Sequence, residues 1–428
     1  MIIFDAIQTL FEISLIGAFG LSLVYFMITM IAALGLKSNI QEKKHFQIKE
    51  YPSITIQIPT FNELAALNCA ERCLAFDYPD DKIQIIIGDD SNDQTISDSI
   101  DAFALLHPKI QISRRGRNIG FKPGNLNAML PESEGDYILI LDSDFLPKKD
   151  FLKKIVEPVI DNPNLAGVQS SWKIINIHNN FSTLLGGTIV NVVHSILMPF
   201  MQKVTGHSIF CGSGELVKKS YLIELGGWTE GSLTEDVDYS LRLIASGKCI
   251  HYIKELSIRC EAPYTPNDLF KQQMRWAYGV VRSFILHNKK IFFSKITKTR
   301  VKFATLIFAT GYVMISLLLF TFIFGFLNIL CGALGFDPAA SATSSYTIAQ
   351  FIHDTIINTL LTGGMLISAI VAGIVNGFSF RHLGKLVLAL LTIGFVCMFF
   401  VGRGIFSACI GLPMNWFMLK KIGNERNA

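Results

Sequence analysis

The sequence predicts two structural parts: an α/β domain built on a mostly parallel sheet with helices on both faces, and an α-helical transmembrane region. Three observations carry this expectation. Short apolar runs alternate with longer segments of helical pattern, as in open parallel sheets. Three of those runs stop at polar or acidic clusters, the usual carboxyl-end signature of a ligand-binding α/β sheet. Finally, half of the residues are apolar and only 17% are charged, with a mean hydropathy of +0.41, so the apolar excess calls for lipid.

Taken in order, the first long apolar run is Phe11–Leu36, interrupted only by Glu12. At 1.5 Å per residue it reaches roughly 39 Å, enough to cross a bilayer core with tilt. It lacks the basic leader and small-residue cleavage site of a signal peptide, and residues 1–36 are therefore expected to form a retained helix. Lys37, Lys43, Lys44 and Lys49 follow, which by the positive-inside rule places the next part in the cytoplasm. Residues 37–302 read as one cytoplasmic domain. Ser53–Ile58, Ile83–Ile87, Ile110–Ser113 and Tyr137–Leu141 are its expected strands, and Glu63–Leu74 and Thr95–Leu106 its first helices. Phe181–Lys203 is too densely apolar for a surface helix and is expected to lie in the membrane interface, a buried core helix being the alternative.

Residues 303–428 form the C-terminal membrane region, with three or four helices. Phe303–Cys331 and Thr355–Phe378 are expected spans, separated by the Lys- and Arg-free stretch Asp337–Asp354. Arg381, His382 and Lys385 then mark a return to the cytoplasm. The run Leu386–Trp416 is expected to fold as a hairpin near Gly402-Arg403-Gly404, which keeps Lys420, Lys421 and Arg426 inside.

Composition excludes disorder, collagen-like repeats and disulfide scaffolds, and a net charge of +4 gives no nucleic-acid signal. The eight cysteines have neither a CxxC framework nor histidines at zinc spacing. The acidic clusters are more informative. Asp142 and Asp144, two apart behind a buried strand, suit one hard cation, Mg²⁺ or Mn²⁺, completed by substrate phosphates. A solvated turn with side-chain caps produces the same pattern. Lys122 and Arg275 can offset charge on a departing diphosphate. Asp236 is the candidate base, with Thr234 expected to cap the helix that carries it.

Asp89-Asp90, Asp142-x-Asp144, Thr234-Glu235-Asp236 and Gln272-Gln273-Met274-Arg275-Trp276 together resemble the D, DxD, TED and QxxRW set of membrane-bound family 2 glycosyltransferases, of the cellulose synthase-like and mannan synthase-like kind. The connecting blocks Gly120–Asn127, Phe210–Gly214 and Gly226-Gly227-Trp228 agree with it, and the likeness covers about residues 50–290. No FxVT-type loop follows the QxxRW block, which places the chain nearer the smaller synthase-like enzymes.

The resemblance implies a GT-A fold and an inverting, metal-dependent hexosyl transfer from a nucleotide-sugar, a UDP-sugar by preference or a GDP-sugar, to a β-linked polysaccharide. Thr60, Glu63, Asp89, Asp90, Lys122, Asp142, Asp144 and Arg275 would hold the nucleotide-sugar, with Asp142 and Asp144 on the Mg²⁺ or Mn²⁺. Asp236, beside Glu235, would be the general base. Cys211, Gly212, Gln272 and Trp276 would border the acceptor. A lipid acceptor, as in ceramide glucosyltransferases, is the second enzymatic reading, and a non-catalytic nucleotide sensor the third.

Overall fold

The computed structural model describes residues 2–35, 50–334 and 348–416. The basic run at 37–49, the stretch at 335–347 and the tail from 417, on which the expected orientation rests, lie outside them.

The chain enters through α1 (Ile2–Gly35), a helix longer at its N-terminal end than the apolar run alone indicates. An open α/β unit follows: β1 (Ile54–Thr60), α2 (Ala65–Leu74), β2 (Ile83–Asp89), α3 (Gln94–Leu106), β3 (Ile110–Ser113), α4 (Phe121–Met129), β4 (Tyr137–Ile140) and α5 (Phe151–Asp161). The strand β1 shows why the sheet is covered on both faces. Ile54, Ile56 and Ile58 are buried on one side, and Thr55 and Gln57 on the other. Those two polar side chains are partnered: Thr55 donates to Gln84 Oε1 at 2.6 Å, and Gln57 Nε2 to Ser133 Oγ at 3.0 Å.

The second half adds β5 (Leu165–Ile174), α6 (Phe181–Val192), α7 (Met198–Thr205), β6 (Glu215–Lys218), α8 (Lys219–Glu224), α9 (Glu235–Ala245), β7 (Cys249–Cys260) and α10 (Pro266–Phe292). The seven strands order as β3-β2-β1-β4-β6-β5-β7. Only β6 runs against its neighbours, β4 and β5; the other adjacent pairs are parallel. Strand order reverses between β1 and β4, and the loops beyond their carboxyl ends form a crevice there. Thr60 stands level with Asp89 in the β1–β2 register, so these chain ends meet at one height.

Helices α6 and α7 are joined through a π turn over Val193–Leu197 into one rod. The rod is apolar and long enough to cross a membrane, yet 78% of its most apolar window is buried within the protein. Burial to that extent is the feature the alternative expectation, a buried core helix, calls for. The rod packs on β5 and β7 on one side, and on the apolar helices on the other.

The apolar helices themselves are α1, α11 (Thr299–Ala333), α12 (Ile348–Thr362), α13 (Gly364–Val375), α14 (Phe380–Ala389) and α15 (Phe395–Ile410). Among the described residues four helices are long and apolar enough to span a membrane, the buried rod being one, or five if α12 and α13, bent by 64° at Gly363, count as a single broken span. Small residues permit close crossings. A Cβ on Gly364 would stand 2.1 Å from the Ser22 carbonyl oxygen, and Thr29 and Ser368 share a 2.7 Å hydrogen bond nearby.

The hairpin expected at Gly402-Arg403-Gly404 is not formed. Phe380–Ile410 continues as one helical rod, with a π turn at Leu390–Gly394. Its glycines serve packing instead of turning: a Cβ on Gly404 would lie 2.4 Å from the carbonyl oxygen of Met274, so α15 presses directly on the backbone of α10.

Candidate active site

The end of β1 is tied to the end of β2 by Asn62, which sits at φ +54°. Its Oδ1 accepts from the amides of Asn92 and Asp93, at 3.0 and 3.1 Å. The two adjacent aspartates of β2 then part company. Asp89 turns inward and accepts from Ser91 N, Ser97 Oγ and Arg114 Nε at 2.7–3.0 Å. Burial alone would raise its pKa, but these donors outweigh burial and hold the carboxyl below its usual range. Asp90 faces the crevice and receives both Nε and Nη2 of Arg115. For Asp90 burial prevails over Arg115, and its pKa is raised. Arg114 and Arg115, two residues unremarked in the sequence, set the roles of this pair; the signal was a double arginine directly after the third short strand.

Lys122 enters from the first turn of α4, behind Gly120 and Phe121, both in left-handed conformation. Its Nζ lies 2.7 Å from Asp142 Oδ1 and 2.9 Å from Glu235 Oε1, and donates to the Gly212 carbonyl at 2.5 Å. Burial opposes its charge, yet the surrounding carboxylates win and its pKa rises. Asp142, Ser143 and Asp144 follow β4; Asp142 N donates to Ser213 Oγ at 2.9 Å, and Ser143 Oγ to Glu63. Asp144 is buried.

The loop at 211–214 forms the opposite wall. Gln169 accepts from Cys211 N, Glu215 from Gly212 N, and the Trp172 indole donates to the Ser213 carbonyl, all at 2.8–2.9 Å. Gly212 sits at φ +89°, and a methyl group on it would stand 3.5 Å from both Lys122 Nζ and Asp236 Oδ2. Glu215, buried at the start of β6, is a further acid that sequence reading missed. Burial and the nearby Asp236 push its pKa well up, against the pull of Lys122.

Asp236 belongs to the first turn of α9. Burial, with repulsion by Glu235, pushes its pKa to about 7, and Lys122 restrains the rise. Thr234 occupies the N-cap position, but its hydroxyl makes no cap hydrogen bond. It is wedged instead against Gly279 of α10, where a Cβ would lie 2.4 Å from it. Asp238, one turn on, anchors α9 to α10 through His287 Nε2 at 2.7 Å and also holds Arg242 Nε at 2.9 Å.

Gln272, Arg275 and Trp276 project from α10 into the crevice. Arg275 donates to the Leu233 carbonyl at 3.2 Å, and burial lowers its pKa. Its guanidinium lies 5.7 Å from the ring of Trp416, which stacks at 6.5 Å on Phe121. The segment after α15 therefore returns to this site, a feature without a signal in the sequence pattern.

One cavity of about 620 Å³ is lined by Thr60, Glu63, Asp90, Lys122, Asp142, Asp144, Cys211, Gly212, Glu235, Asp236, Gln272, Arg275 and Trp276. Of the residues singled out in the sequence, Asp89 alone is outside that lining. Among the described residues no three His, Cys, Asp or Glu side chains converge as a ready metal cage. Asp142 and Asp144 supply a two-carboxylate pair, the oxygen donor set that Mg²⁺ or Mn²⁺ takes when substrate phosphates complete the shell.

Residues 137–401 match the family described as glycosyl transferase family group 2. The chain is 30% identical over 256 residues to glucomannan 4-beta-mannosyltransferase 9 of Arabidopsis thaliana, covering 56% of this chain and 48% of that protein. With glucomannan 4-beta-mannosyltransferase 2 of the same plant the identity is 27% over 271 residues, 60% of this chain and 51% of the relative. The matched part thus spans about half the length of these curated relatives. A solved structure, the mannosyltransferase PcManGT from Pyrobaculum calidifontis in complex with GDP-Man and Mn²⁺, superposes with a TM-score of 0.60 at 20% identity, covering 86% of this chain and 98% of that one. That likeness places the sheet and its helices in the GT-A class of fold. With the family matched across more than half of its length, the chain belongs to the family 2 glycosyltransferases.

Proposed function

We propose that the protein is a membrane-embedded, inverting hexosyltransferase that moves a sugar from a nucleotide-sugar to a saccharide acceptor, building a β-linked glycan. The observation that carries this reading is the one cavity that Asp236, with its raised pKa, shares with Lys122, Asp142 and Asp144, Lys122 and Asp236 both reaching Gly212. The sequence favoured a UDP-sugar. The mannosyltransferase relatives and the GDP-Man held by PcManGT favour GDP-mannose, and this is the donor proposed.

In this reading Asp90 takes the nucleoside end, its carboxylate oriented by Arg115. Asp142 and Asp144 hold a divalent cation, which when bound neutralises the diphosphate as a Lewis acid. Lys122 and Arg275 place two more positive charges against the leaving group. Asp236 accepts the proton of the acceptor hydroxyl; a carboxyl poised near 7 is about half ionised at neutral pH and a stronger base than an ordinary carboxylate. The hydroxyl oxygen attacks the anomeric carbon as the bond to the diphosphate breaks on the other side, which turns an α-linked donor into a β-linkage. Gln272 and Trp276 border the incoming sugar, with the indole offering a stacking face.

The deciding experiment follows nucleoside diphosphate release by the purified protein with GDP-mannose and a panel of UDP-sugars, with product linkage read by NMR. A β-linked product from GDP-mannose is expected. Release with none of the donors at any Mn²⁺ or Mg²⁺ concentration would refute the reading.

A further inference from the structure

A second cavity, of about 560 Å³, lies apart from the catalytic crevice and shares none of its lining residues. It sits where the loop after β5 meets the start of α14, and three helices begin beside it, α6, α10 and α14. Its walls carry His178, His382 and Lys385, and no carboxylate is among the described residues that line it. We propose that this cavity binds a phosphate group, on a lipid headgroup or on a soluble molecule, through Lys385, His382 and Ser182. The site is separate from the transfer reaction, and the inference stands without the function proposed above.

The positive charge here has no counter-charge. Lys385 forms no ion pair among the described residues, and Asp268, in the first turn of α10, is held by the Thr265 hydroxyl at 2.7 Å. The rings of His178 and His382 stack with centroids 4.2 Å apart. Burial lowers the pKa of His178, and His382 and Lys385 add to it, the repulsion of cations gathered without an anion. Nδ1 of His382 is engaged by the Ser379 hydroxyl at 2.9 Å, which leaves Nε2 for a ligand. Ser182 lines the cavity with only 2% of its surface exposed, yet its hydroxyl has no hydrogen-bond partner among the described residues. A hydroxyl so enclosed is ordinarily paired. It stands in the opening turn of α6, whose first amides have no partner within the helix and whose dipole favours an anion. A tetrahedral phosphate can offer separate oxygens to an ammonium, an imidazole and a hydroxyl together, where a planar carboxylate has only two. The volume is that of a small-molecule site and leaves room for the group that carries the phosphate. Phe380, 94% exposed, opens the apolar rod 380–410 two residues before His382, so a bilayer headgroup is one of the two sources.

The test is a phosphorus NMR titration of inorganic phosphate with the 428-residue protein in dodecyl maltoside, a detergent without phosphorus. EDTA keeps divalent ions from the catalytic crevice, and exchange broadening gives the dissociation constant. Lys385→Gln and His382→Gln each remove a charge-assisted partner and are expected to weaken binding at least about tenfold. Ser182→Ala deletes only the enclosed hydroxyl, leaves the fold intact and weakens binding about two- to tenfold. Phosphatidylglycerol, added to the micelles, is read by its own resonance and by displacement of the inorganic ion. Its binding identifies a lipid headgroup, and binding of inorganic phosphate alone identifies a soluble phosphate compound; either result, weakened in the variants, supports the site. Absence of broadening with both probes, or dissociation constants unchanged in all three variants, would overturn it.

Discussion

If Asp236 is the base, kcat/KM must fall on the acid side with its free-enzyme pKa, near 7, and tenfold for each further pH unit. The position of that limb is set by two neighbours of opposite sign, which makes it adjustable. Lys122 Nζ and Asp236 Oδ2 each lie 3.5 Å from one point beside Gly212, so they are at most about 7 Å apart. At an effective dielectric constant of 20 the attraction is at least about 2 kcal/mol. Removing the ammonium in Lys122→Met destabilises the ionised carboxylate by that amount and moves the limb up by at least about 1.5 pH units. Glu235→Gln removes a repulsion and moves it down. Both variants lose activity in absolute terms, so the readout is the midpoint of the limb rather than its height. The assay is kcat/KM for nucleoside diphosphate release between pH 5 and 9, at saturating Mn²⁺. A limb that stays in place in both variants would show that another group is the base.

Other outcomes follow from the same geometry. Asp236→Asn removes proton abstraction, and transfer drops by about 10²–10⁴-fold while nucleotide binding, followed by calorimetry, remains. The same variant reports on stability. The native carboxyl of Asp236 titrates above its unfolded value, so its charge is a burden that grows as pH rises from about 4 to about 7. Asn should therefore be more stable than Asp at pH 8, by up to about 4 kcal/mol, and show no such advantage below pH 4 in thermal melts. Asp144→Ala should abolish the Mn²⁺ dependence of nucleotide binding; unchanged titrations with and without metal would contradict the assignment. Gly404→Ala forces a methyl against the Met274 carbonyl and should cost about 1–3 kcal/mol of stability, read as a lowered Tm in detergent.

The sheet's first half was legible because β2 and β4 are buried on both faces and read as nearly continuous apolar runs ended by acids, while β1 shows the alternation of isoleucine with polar residues. The edge half was not. Glu215–Lys218 is too short and too mixed to register, and Cys249–Cys260 carries His251, Lys254, Glu255 and Arg259 because it lies at the edge of the sheet. The site's acids stood out by their places at strand ends. The spacing did not reveal that Asp89 and Asp90 divide their labour, because arginines from the next strand's end decide it. Gly402 and Gly404 misled for a general reason: in a run of apolar residues, a glycine that opens a turn and one that lets two backbones touch look alike. Likewise hydropathy cannot tell lipid from protein as the surroundings of 181–205, since both are apolar.

The contact between α15 and Met274 has a mechanical consequence. Where two rods meet without side chains between them, nothing soft remains to absorb a displacement. Arg275 is the next residue along the chain from that contact. A shift or tilt of the last helix, driven by bilayer thickness or lateral pressure, is thus handed on to the guanidinium and indole almost undiminished. On the membrane-embedded reading proposed above, turnover is expected to be sensitive to the thickness of the bilayer in which the protein is reconstituted.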